Sequence, residues 1–95
     1  MAITNISRNE LFRLGQYKCQ LITLDTTTTA AQAITNAVLK SYNGPEWSFS
    51  RVHAIFRTSN VITRVGYFNN ADGRLSRVDV TSSANACISV WVIGE

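Results

Sequence analysis

The second half of the chain alternates apolar and polar residues with a period of two, while one stretch of the first half repeats at helical spacing. A period of two sends successive side chains to opposite faces of a strand, and a period of 3.6 lines one side of a helix. In Arg51–Arg57, Val52, Ala54 and Phe56 alternate with Arg51, His53, Ile55 and Arg57. Val61–Asn69 and Arg74–Thr81 flank Asn70-Ala71-Asp72-Gly73, whose Asp-Gly pair is a strong hairpin signal. A two-residue loop sets Tyr67 opposite Val78 and Val65 opposite Val80. A four-residue loop shifts the partners, yet Val65, Tyr67, Val78 and Val80 share one face either way, with Arg64, Arg77 and Asp79 on the other. The last strand, Ala86 to Ile93, is apolar on both sides: Ala86, Ile88, Val90 and Val92 alternate with Cys87, Trp91 and Ile93. Such a strand belongs at the centre of a covered sheet or in a subunit contact.

Earlier in the chain, Tyr17 to Leu24 reads as a strand ahead of a Thr-rich break. Thr29 with Gln32 makes a capping box, and Ala30, Ala33, Ile34, Ala37, Val38 and Ser41 recur at helical spacing before Asn43-Gly44-Pro45 stops the element. This predicts the principal helix over about 29–42. Residues 1–6 read as a flexible arm. Ser7-Arg8-Asn9-Glu10 fits a second capping box and Gly15 a stop, giving a short helix over 7–15, although an extended docking arm would carry similar residues. The predicted architecture is one α+β domain: arm 1–6, short helix 7–15 and body 16–95, with the principal helix packed on a largely antiparallel sheet of about five strands. Its expected core is Leu21, Ile34, Val38, Val52, Phe56, Val65, Tyr67, Val78, Val80, Ile88, Val90 and Val92.

Composition narrows the function classes. The chain has 95 residues, 45% hydrophobic and 16% charged, with a net charge of +3. That is the size of one small domain with a weakly charged surface rich in Thr, Ser, Asn and Ala. Charged and polar residues interrupt every apolar run well short of the ~20 needed to span a membrane, and Met1-Ala2-Ile3-Thr4-Asn5 has no signal-peptide pattern. Cys19 and Cys87 lack metal-ligand spacing; they read as reduced thiols, with a disulfide open if their strands are neighbours.

Catalysis needs acids, bases or nucleophiles gathered together. His53 is the one histidine, the six acids are scattered, and no nucleophile, phosphate-loop or zinc motif is present. A non-enzymatic protein without cofactor or metal is expected. Trp47, Phe49, Trp91 and Ile93 are the candidate assembly surface. The alternative is a small single-stranded nucleic-acid binding module. In it Arg51, His53 and Arg57 share a strand face near Arg64, and Trp47, Phe49 and Tyr67 offer stacking surfaces.

The hairpin stretch from Gly66 to Asp79, around Phe68-Asn69-Asn70-Ala71-Asp72-Gly73, together with the arm, the low charge and the apolar last strand Cys87–Ile93, resembles small virion proteins of tailed bacteriophages. Those include capsid decoration (cement) proteins and small head or tail accessory subunits. The resemblance implies a structural subunit of the virion, homo-oligomeric or bound to a larger capsid or tail lattice. It carries over no site residues. Outside a virion the expected location is the cytoplasm, with no membrane partner.

Overall fold

The computed structural model describes residues 3–27, 31–42 and 44–95. Among these residues, seven strands and one short helix follow in chain order: β1 (Ile3–Leu14), β2 (Tyr17–Thr26), β3 (Gln32–Thr35), α1 (Asn36–Ser41), β4 (Val52–Ser59), β5 (Thr63–Asn69), β6 (Leu75–Ser82) and β7 (Ala86–Gly94). They form a four-stranded sheet, β1-β2-β7-β4, and a three-stranded sheet, β3-β6-β5, antiparallel throughout. Ile22, Leu24, Ile88, Val90 and Val92 from the first sheet meet Ile34, Val78 and Val80 from the second in one buried core. This is a β-sandwich, and the α+β expectation with a principal helix is overturned.

The physical reason lies in two local signals. Gln32–Thr35 pairs with β6, so Ile34 sits opposite Val78 as a strand residue and not as part of a helical stripe. Thr35 then caps the helix, its hydroxyl accepting from the Val38 amide at 3.2 Å, so α1 runs for only six residues. Of the capping box read at Thr29 and Gln32, Thr29 lies outside the described residues, as do Ala30 and Asn43.

The start of the chain is also corrected. From Ile3 onward the segment read as arm and short helix is a twelve-residue edge strand. Leu14 pairs with Tyr17 around Gly15-Gln16, and Gly15, at φ 64°, supplies the positive φ that a two-residue hairpin loop needs. The glycine taken as a helix stop is a hairpin turn.

The second hairpin follows the sequence. Val65 pairs with Val80 and Tyr67 with Val78, while Arg77 and Asp79 form an ion pair at 3.2 Å on the opposite side. Gly73, at φ 87°, closes the turn, where the Asn70 carbonyl accepts from the Gly73 amide at 2.9 Å. The last strand, β7, is central, between β2 and β4. β2 and β7 are neighbours, yet Cys19 faces Ile93 and Cys87 faces Asp25, six positions apart along β2. At ~3.3 Å per residue no bridge can form, and both thiols are free.

Ahead of β4, residues 44–51 cross the end of the sandwich without regular structure and seal it. Trp47 and Phe49 go inside, 6% and 1% exposed. The Trp47 indole donates to the Ile34 carbonyl at 2.8 Å, and its amide donates to Asn36 Oδ1 at 2.8 Å. Farther along, the Leu75 amide donates to the Phe49 carbonyl at 3.0 Å. From the sheet side, Asn9 Nδ2 and the buried Gln20 Nε2 both donate to the Pro45 carbonyl, at 2.9 and 3.1 Å.

β4 carries a register shift between Val52 and Ala54. One extra residue inverts the faces on either side of it. Val52 and Ile55 therefore both pack on the core, whereas Ala54 and Phe56 pair with Ile93 and Trp91 on the outer face. Phe56, expected inside, is 57% exposed. Tyr67 has the inward side of β5 but sits on an edge strand, and it too is exposed. Leu21 is buried as expected but lies on the outer face, paired with Trp91.

Candidate assembly surface

The registers of β1, β2, β7 and β4 define the outer face of the larger sheet as a series of cross-strand rungs. One rung runs Glu10–Leu21–Trp91–Phe56 and the next Phe12–Cys19–Ile93–Ala54. Beyond them Leu14 pairs with Tyr17, whose ring meets His53 edge-on at 5.4 Å. In the other direction the rungs turn polar. Arg8–Thr23–Ser89–Thr58 carries a hydroxyl contact of 3.0 Å between Thr23 and Ser89, and Asn5–Asp25–Cys87 follows.

The outer face is thus split into an apolar half and a polar half. In the apolar half, Cys19 and Leu21 are already buried beneath their neighbours. Phe12 stands edge-on to Trp91, ring centres 6.4 Å apart. Phe12, Leu14, Tyr17 and Phe56 remain exposed around them. Rungs lie ~6.6 Å apart and strands ~4.8 Å apart, so three rungs over four strands cover a plane of about 400 Å². An apolar patch of that size on a small chain is at the scale of functional surfaces.

Charge is sparse on this half. Glu10 has Arg8 at 4.0 Å, and His53 Nε2 lies 2.9 Å from Glu95 Oε2. The Cys87 thiol, at the polar end, is pushed up by desolvation first and then by the Asp25 carboxylate. Burial likewise pushes up the Cys19 thiol.

Of the four residues singled out as an assembly surface, Trp91 and Ile93 lie half-buried in the apolar half, and Trp47 and Phe49 are core. Phe12, Leu14, Tyr17 and Phe56 complete the patch. The first two were hidden by reading 7–15 as a helix, and Phe56 by the β4 shift. The strict alternation Phe12, Leu14 running into Tyr17, Cys19, Leu21 across a Gly-X pair was the available signal.

The four cationic candidates are not brought onto one face. His53 is held by Glu95, and Arg57 Nε donates to the Thr63 carbonyl at 2.8 Å across the gap between the two sheets. Arg64 is on β5 of the other sheet, and Arg51 precedes β4. A shallow open hollow lined by Arg57, Thr58, Ser59, Val61, Ile62 and Thr63 lies at the β4–β5 turn. Among the described residues no three His, Cys, Asp or Glu side chains gather to hold a metal ion, and no helix is long and apolar enough to cross a membrane. No family model, curated protein or solved structure matches this chain.

Proposed function

We propose that this chain is a non-enzymatic assembly subunit that docks through the apolar half of the outer face of its four-stranded sheet. The observation that carries the reading is the graded face itself. Trp91, Phe12 and Phe56 form an aromatic band across β1, β7 and β4, and no described element of the chain lies over it. Aromatic side chains on a flat, weakly charged surface are the usual anchors of protein contacts. The finer reading, a virion protein that decorates or stabilises a capsid or tail lattice, is supported by the resemblance of the Gly66–Asp79 hairpin region and by the β-rich body. Nucleic-acid binding gains no support from three arginines and a histidine spread over two sheets and a loop.

Molar mass by light scattering, over a range of concentrations, tests this with Phe56→Ser. The native protein should exceed the mass of one chain increasingly with concentration, and Phe56→Ser should lag behind it. Identical mass curves for the two proteins would remove the face from the account.

A further inference from the structure

Among the described residues, no strand pairs with the far side of β1, which ends the larger sheet. β1 pairs with β2 on one side only, and along its second edge the backbone donors and acceptors have no strand partner among the described residues. Such an edge accepts another extended strand. Among the described residues the two sheets have three other edges, and each is less suited. β3 has four residues, β4 is shifted at Val52/Ala54 and tied to Thr63 through Arg57, and β5 carries Gly66 in its middle. β1 differs along its length. Register shifts at Ile3/Asn5 and Ile6/Arg8 break its first half, whereas Arg8–Leu14 pairs with β2 without interruption. In that regular stretch Leu11, Phe12 and Leu14 are 43%, 37% and 45% exposed.

We infer that Arg8–Leu14 is a homodimer edge, pairing antiparallel with the same segment of a second copy about a two-fold axis at Leu11. This rests on the assembly reading and names its first partner. The register follows from three constraints. A two-fold axis normal to the sheet keeps outer residues with outer ones, so the centre must fall on a residue. Centring on Glu10 would set two carboxylates directly opposite each other, which is destabilising. Centring on Leu11 uses all seven regular residues: Leu11 meets its own copy, Glu10 meets Phe12, Asn9 meets Arg13 and Arg8 meets Leu14, with no like charges opposed.

Area supports a second copy in particular. One apolar half-face covers about 400 Å², below the ~800 Å² per partner of a stable interface. Pairing at β1 joins two such halves into one eight-stranded sheet and brings the combined patch to that size. The dimer, and not the single chain, is then the unit that docks.

Cysteine cross-linking reads the register. In a Cys19→Ser, Cys87→Ser background, which removes both native thiols, Leu11→Cys should give a disulfide dimer on mild oxidation. Arg13→Cys, facing Asn9 of the second copy, should give none. Mixing Glu10→Cys with Phe12→Cys should link the two variants to each other. Leu11→Lys places like charges on the axis and should yield a folded protein, by circular dichroism, whose mass drops by half. Absence of the Leu11→Cys dimer at concentrations where light scattering reports association would overturn the edge register. The assembly reading would then stand or fall on Phe56→Ser alone. A native chain that stays monomeric throughout also overturns the dimer.

Discussion

The two faces of the four-stranded sheet come from the same strands and have opposite fates. On the inner face, Ile22 pairs with Val90 and Leu24 with Ile88, and the second sheet closes over them. On the outer face, Leu21 pairs with Trp91 and Cys19 with Ile93, and among the described residues the only cover is what neighbouring side chains provide. The two tryptophans mark the contrast. Trp47 is sealed in the core with its indole hydrogen-bonded, while Trp91 lies half-buried on the open side against Phe12. A strand apolar on both faces, such as β7, is covered by the second sheet on one side only; on the other, no described element lies over it.

Mutations should separate the two faces by what they change. Ile22→Ala empties a fully buried inner position and should cost about 2–5 kcal/mol in urea unfolding. Trp47→Phe keeps an aromatic ring but leaves the buried Ile34 carbonyl without its donor, for a loss of about 1–3 kcal/mol. Phe56→Ser, on the outer face, should move unfolding by no more than about 0.5 kcal/mol. Its effect should appear in molar mass instead. Were Phe56→Ser to destabilise as Ile22→Ala does, the outer face would belong to the fold and the contrast would collapse.

How much of this was legible depended on whether a local signal acted alone. The β5–β6 register was readable because Asp72-Gly73 and the alternation of Val65, Tyr67, Val78 and Val80 agree. The central place of β7 was readable from its two apolar faces. The principal helix was not, because the alanines at 33 and 37 fit helix spacing while Ile34 and Thr35 serve β3 and a cap. Ser7 and Glu10 form a capping-box pattern by coincidence on an edge strand, where the Gly15-Gln16 turn was the informative feature. The shift in β4 leaves no mark in the alternation of residues 51–57, so Ile55 and Phe56 exchanged faces without warning. Half of the predicted surface, Trp47 and Phe49, was lost to a connection that folds inward through backbone hydrogen bonds no sequence pattern announces.

The most direct test of the outer face is the accessibility of Trp91 itself. The chain contains two tryptophans, so Trp47→Phe leaves Trp91 as the sole reporter. Acrylamide quenching of its fluorescence should be appreciable in dilute solution and fall as concentration, and with it the mass measured by light scattering, rises. Mass rising beyond that of an edge-paired dimer with unchanged quenching would mean that further association buries some other surface, and would contradict the account.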